Sequence, residues 1–259
     1  MEYIAFTDEA YITAAQFRSI CSVSLPVERL AAFDVRMRAL LAESGVDEFK
    51  WLKTRNAKYR LCADKIFRFA IEQISESGVR VDVLIWDTQD SRHNVSGRDD
   101  DANYERMYFH LLKTAMKKRE RNSNWQLFPD EKLGVDWEKI EGCLRRTGTA
   151  KEIYPLLGDL YTDGYYKISS FQQAQSFDMP GIQMADFFAG MAVFSREKFQ
   201  RYHQWTETEA GILDLFSQEH IKLSGADRER FPLMRDLNQL CKQCKLGVSL
   251  REKKSFWTP

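Results

Sequence analysis

The sequence predicts an α/β fold, a mixed sheet flanked by helices with a helical C-terminal appendage. Two observations lead there. Segments with the two-residue alternation of strands and segments with the 3.6-residue spacing of helices take turns through residue 200. Beyond about Arg201 the chain reads as helices and loops. Its 259 residues suffice for one large domain, or for a domain with an appendage. The expected division is 1–200 for the α/β domain and 201–259 for a helical extension packed on it.

Residues 3–7 open the sheet, and Ile4, Phe6 and Asp8 share one strand face. FRSICSVSL, residues 17–25, is its hairpin partner. In PVERLAAFDVRMRALLAESG, Pro26 suits a helix start, Leu30, Phe33, Met37 and Leu41 follow helical spacing, and Gly45 stops it. EFKW, 48–51, is short and suits an edge strand. NAKYRLCADKIFRFAIEQISESG is a second amphipathic helix, closed by Gly78. VRVDVLIWD alternates and is rich in β-branched residues, so it is a strand. A polar loop, TQDSRHNVSGRDDDAN, leads to the helix YERMYFHLLKTAMKKRER. WQLF is a short strand that runs out at Pro129 and Asp130, VDWEKIEGCLRR a helix and YYKISSFQQAQ a strand. PGIQMADFFAGMAVFSREKF is a helix with Pro180 near its start. Thr206 and Glu209 are spaced as a capping box ahead of AGILDLF.

Lys plus Arg and Asp plus Glu each number 38, so the net charge is zero. No overall field draws the chain to nucleic acid or a membrane, and a nucleic-acid partner would need local basic patches. The odd count of five cysteines, with no basic-then-apolar leader, points to a reducing cytoplasm. The longest apolar stretch, MADFFAGMAVF, falls well short of the roughly 20 residues of a membrane span. No Walker motif, G-x-S-x-G or H-E-x-x-H occurs.

Acids stand where apolar rows end. Asp8 continues Ile4 and Phe6, Asp87 continues Val81, Val83 and Ile85, and Asp130 ends WQLFPD. Between Met184 and Phe194 only Asp186 and Gly190 are not apolar, so Asp186 lies on a helix buried nearly all round. A lone charge there costs several kcal/mol unless it is paired with a core arginine or bound to metal. Acids at the C-terminal ends of strands, plus one on a late apolar helix, can converge above one sheet edge. Hard dications take such oxygen ligands, and two of them about 4 Å apart clamp a phosphodiester.

Four pieces carry a resemblance: YIAFTDEA at the start, EFKW at 48–51, LFPDEK at 127–132 and QAQSFDMPGIQMADFFAG at 173–190. In order and spacing they resemble the family called domain of unknown function 3800, whose fold is ribonuclease H-like. Ala10 and Tyr11 stand where that family usually has Ser-Gly. The resemblance implies a metal-dependent nuclease acting on RNA or DNA with Mg²⁺ or Mn²⁺. It makes Asp8 the first-strand ligand, Glu48 the second acid, Asp130 the middle-strand acid and Asp186 the helix acid. Asp87 competes with Asp130 for the middle role. Lys50 would contact phosphate, while Gln183, one turn before Asp186, and Ser176 would support the ligands from behind. Gly190, one turn after Asp186, would let the helix approach the sheet.

Lys117 and Lys118, in the run KTAMKKRERN, are either a solvated helix end or a phosphate-backbone contact. Cys241 and Cys244 make a lone C-x-x-C, which His203 and His220 would have to complete as a zinc site. Helical spacing with Leu233, Leu237 and Leu240 makes them buried thiols instead. The rival functional class is a catalytically inactive binding protein that keeps the fold, with a protein partner in a toxin or phage-defence assembly.

Overall fold

The computed structural model describes residues 1–10, 16–76, 78–91, 95–97, 99–149, 152–154, 160–162, 164–209 and 222–246. Seven strands and seven α-helices alternate among them. The strands are β1 (Glu2–Ala10), β2 (Phe17–Pro26), β3 (Arg80–Asp87), β4 (Ser123–Pro129), β5 (Glu152–Tyr154), β6 (Leu160–Thr162) and β7 (Tyr166–Phe171). The helices are α1 (Leu30–Glu43), α2 (Ala57–Glu76), α3 (Asp100–Lys117), α4 (Trp137–Thr149), α5 (Pro180–Glu197), α6 (Phe199–Glu209) and α7 (Gly225–Gln243).

Five strands form one mixed sheet in the order β3-β2-β1-β4-β7, and β5 pairs with β6 separately. Strand β2 runs antiparallel to β1 and to β3, with Asp8 opposite Cys21. Strand β4 is parallel to β1, and β7 is parallel to β4. The C-terminal ends of β1, β3, β4 and β7 therefore share one edge of the sheet.

Strand β1 is central because both of its faces are apolar. Ile4 and Phe6 enter a core shared with α1, α2, α5 and α7. Tyr3 and Ala5 enter a second core under α3 and α4. Side chains alternate along a strand, so one nine-residue segment nucleates two layers. Helix α5 lies on the first face and packs directly against β1: a Cβ at Gly181 would come within 2.2 Å of the Phe6 ring. The hydroxyl of Ser19 on β2 donates to the carbonyl of Ala189 at 2.7 Å. Phe231, Leu233, Met234, Leu237 and Cys241 of α7 belong to that same core.

Several expectations are corrected. EFKW is no edge strand: residues 48–50 are irregular, and Trp51–Arg55 is a 3-10 turn. The reason is local, since side chains of α5 take the main-chain N–H groups of Phe49 and Trp51. The basic helix starts at Asp100 rather than Tyr104, because the Asp99 carboxylate caps it by accepting from Ala102 N–H at 2.8 Å. Strand β7 stops at Phe171, and only a single bridge, Asp130 to Ala174, continues the pairing. Thr206 is no cap; it lies within α6 and its hydroxyl donates to the His203 carbonyl. The segment AGILDLF lies outside the described residues, as does His220. Cys241 is buried and Cys244 exposed, both as free thiols.

Candidate functional site

The site is built at the C-terminal edge of β1. Asp8 follows Ile4 and Phe6 on the α5 side of the sheet and is only 6% exposed. Its neighbour Glu9 projects through the other face. There it accepts from the Tyr108 hydroxyl and from the Lys132 ammonium, the latter at 2.6 Å.

Strand β4, not β3, is the neighbour of β1. Its pairing extends one residue further, where Asp130 N–H donates to the Thr7 carbonyl at 2.9 Å. Asp130 therefore emerges beside the end of β1. Asp87 ends β3, beyond β2, where its carboxylate accepts from Gln16 Nε2 at 2.8 Å and from Gln89 N–H at 2.9 Å.

Helix α5 is buried at every position from Pro180 to Ser195 except Asp186. Asp186 is the one residue of that run that is half-buried rather than buried. Asp186 Oδ2 accepts from Trp51 N–H at 2.6 Å. One turn earlier, Gln183 is 1% exposed and joins two loops. It accepts from Phe49 N–H at 2.7 Å and donates to the Ser176 carbonyl at 2.8 Å. The Ser176 hydroxyl donates to Glu48 Oε1 at 2.5 Å and accepts from Lys50 Nζ at 2.7 Å. Lys50 also pairs with Glu48 at 3.0 Å. Gly190 is needed for Trp51 rather than for the sheet, since a Cβ there would fall 2.1 Å from the indole.

Electrostatics ties these groups into one set. Burial, then the charges of Asp186, Glu9 and Asp130, hold the Asp8 carboxyl well above the usual range, and Lys50 only partly offsets them. Burial pushes Asp186 up to about 6, with Asp130 and Glu48 adding to it, while Trp51 N–H and Lys50 pull it down. Asp130 is raised by burial and by Glu9, again against Lys50. Glu48 is lowered, because Ser176 and Lys50 outweigh its burial. Lys50 is raised, because Glu48, Asp186 and Asp8 outweigh its own. The Lys50 ammonium thus acts on all four carboxylates, and Lys53 acts on Glu48 as well.

All four donors are carboxylate oxygens, which suits a hard dication, and their mutual repulsion is what such an ion would relieve. Among the described residues, no group of three or more His, Cys, Asp and Glu side chains is set to hold a metal ion as it stands. The donor chemistry suits such an ion, and Lys50 offsets part of the charge that it would relieve.

The structure does not bring Lys117 and Lys118 to these acids. Helix α3 ends at Lys117 just before β4 begins at Ser123, at the opposite edge of the sheet. Lys117 lies 3.7 Å above the Tyr165 ring, and Lys118 is 3.4 Å from Asp82. Sequence reasoning missed Arg230, which is 8% exposed on α7 and donates to the Trp51 carbonyl at 3.0 Å. A signal existed: Arg230 stands three, four and seven residues before Leu233, Met234 and Leu237, on the buried stripe of its helix.

Fold and site define an α/β protein with a set of interacting carboxylates at the C-terminal edge of its sheet. No protein-family model matches the chain. It is 36% identical over 265 aligned positions to "Uncharacterized protein ORF2'" of Methanothermobacter thermautotrophicus, covering 99% of this chain and 90% of that protein. It is 33% identical, with the same coverage, to "Uncharacterized protein ORF2" of that organism. The chain belongs to the family of these two proteins.

Proposed function

We propose that this chain is a metal-dependent nuclease that hydrolyses phosphodiester bonds of RNA or DNA. The observation that carries this reading is that Asp8, Asp130, Asp186 and Glu48 lie close enough at the end of β1 and α5 to raise one another's carboxyls, with Lys50 offsetting part of their charge. The mixed α/β sheet and the resemblance to a ribonuclease H-like family support it. Asp8, Glu48, Asp130 and Asp186 would hold Mg²⁺ or Mn²⁺. Such an ion supplies an acidified water as nucleophile and neutralises charge on the departing oxygen. The chain's own residues do the rest. Trp51 N–H fixes the Asp186 carboxylate, and Ser176 and Gln183 hold the Glu48 loop against α5. Lys50, one-third exposed, turns from the carboxylates to a phosphate oxygen.

The test is cleavage of mixed RNA and DNA substrates in Mn²⁺ and in chelator, by wild type and by Asp186→Asn. Cleavage by wild type that needs the ion and vanishes in the variant is the expected result. Wild type that binds Mn²⁺ tightly but cleaves neither polymer would remove the nuclease reading. A second reading is then favoured by the Lys50–Glu48–Ser176 cluster, which satisfies Glu48 without an ion. It is a catalytically inactive binding protein within a toxin or phage-defence assembly. Among the described residues, no helix is long and apolar enough to cross a membrane. The free thiols suit the cytoplasmic location we propose.

A further inference from the structure

We infer that Arg230, on the C-terminal helix α7, is a positioning residue for the carboxylate site, acting on Asp186 through Trp51. The consequence for metal binding and activity rests on the nuclease reading; the geometry does not.

Trp51 links Arg230 and Asp186 through its main chain. Its N–H donates to Asp186 Oδ2 at 2.6 Å, and its carbonyl accepts from Arg230 at 3.0 Å. Arg230 Nε donates to the Thr54 hydroxyl at 2.7 Å, and that hydroxyl donates in turn to the Trp51 carbonyl at 2.7 Å. The guanidinium lies 4.7 Å above the Trp51 ring and 5.2 Å from that of Phe194. The indole sits on Gly190, with the rings of Phe187 and Phe194 each 5.9 Å away at steep angles. Main chain and ring of Trp51 are therefore both fixed, and its N–H is aimed at one carboxylate oxygen.

Packing alone does not account for an arginine here. A buried guanidinium is costly unless hydrogen bonds repay it, and an apolar side chain would fill the same space with less penalty. The hydrogen bonds of Arg230 go to the 3-10 turn Trp51–Arg55, at Trp51, Leu52 and Thr54. That turn begins at the residue that holds Asp186. The resemblance at the sequence level spans residues 3–190, so α7 lies outside it, whereas the archaeal relatives match 99% of the chain. Groups behind a metal ligand set its orientation, and removing one costs on the order of tenfold in metal affinity.

The experiment uses the full chain labelled with ¹⁵N. The Trp51 amide proton, bonded to a carboxylate, is expected far downfield in wild type and upfield of that position in Asp186→Asn. Arg230→Met is expected to move the same resonance upfield while amides of β1 and β4 stay in place. It should also weaken Mn²⁺ binding about tenfold. Arg230→Lys, which keeps one donor, should restore part of both effects. If Arg230→Met does not give a folded spectrum, Thr54→Val removes one contact of the guanidinium and reads the same resonance. A Trp51 amide unmoved in the folded variant would overturn the inference and reduce Arg230 to packing. Wild type without Mn²⁺ binding would instead overturn the nuclease reading, and the amide resonance would still decide the role of Arg230.

Discussion

Asp186 carries the most at the scale of single residues. Burial pushes its carboxyl up to about 6 in the fold from 3.8 ordinarily, so over that interval the folded state favours a proton that the unfolded chain releases. For an acid raised by folding, stability falls as pH rises between these two values and is flat above them. Ionisation of Asp186 should therefore lower the stability of the metal-free protein as pH rises through that window. Asp186→Asn keeps an oxygen for Trp51 N–H and removes the charge. Urea melts in chelator should find the variant at least as stable as wild type at pH 7, with a flatter pH dependence between 4 and 6. A large loss at pH 7 would mean that the charge itself is needed by the fold.

Lys50 is the counterpart. It lowers the carboxyls of Asp8, Asp130 and Asp186, and it is bonded to Glu48 and Ser176. Lys50→Met should cost about 1–3 kcal/mol at pH 7 without metal, the scale of a charged hydrogen bond lost. The cost should shrink at pH 5, where the remaining acids take up protons. Equal losses at both pH values would show that Lys50 matters by packing rather than by charge.

At the scale of elements, α5 does two jobs with two glycines. Gly181 admits the Phe6 ring of β1, and Gly190 admits Trp51. Alanine at either should cost about 1–3 kcal/mol by overpacking. The two differ in site effect: Gly190→Ala displaces the residue that holds Asp186, whereas Gly181→Ala acts at the helix start. Mn²⁺ titration of both variants checks this, with a weaker ion affinity expected for Gly190→Ala alone at matched stability. Helix α3 gives the opposite lesson. Asp82 is 1% exposed and is held by Arg80 at 2.8 Å as well as by Lys118. Lys118→Glu would set a like charge against a buried acid, so it should lower the melting temperature. Lys117→Glu, at the edge away from the acids, should leave cleavage rates unchanged. A loss of cleavage in Lys117→Glu would bring that basic end back as a substrate contact.

At the scale of the molecule, an ion that binds only the folded site stabilises it by mass action, about 2.7 kcal/mol at a hundredfold excess over the dissociation constant. Millimolar Mn²⁺ should raise the melting temperature of wild type, and Asp186→Asn should lose most of that rise. No shift in wild type would count against a metal site at these acids.

The sequence by itself determined the layers. Alternation in β1, β2 and β3 and the apolar run of α5 follow from local periodicity, because a period of two or 3.6 residues needs no partner to be seen. Periodicity also marked Asp8, Asp130 and Asp186, since a carboxylate that continues an apolar row conflicts with its own surroundings. What local pattern does not contain is which strand pairs with which. Only the order β3-β2-β1-β4-β7 set Asp130 beside Asp8 and left Asp87 beyond β2. Residues 48–51 read as an edge strand, whereas the chain over 48–55 is irregular and then a 3-10 turn. They became a loop and a 3-10 turn because Gln183 and Asp186 took the N–H groups a neighbouring strand would have used. Arg230 lies 179 positions from Trp51 in the chain, and their contact exists only once α7 has packed into the same core as α2 and α5. Contacts of that range are decided by the burial of whole faces, so only the tertiary structure could bring the C-terminal helix to the carboxylates.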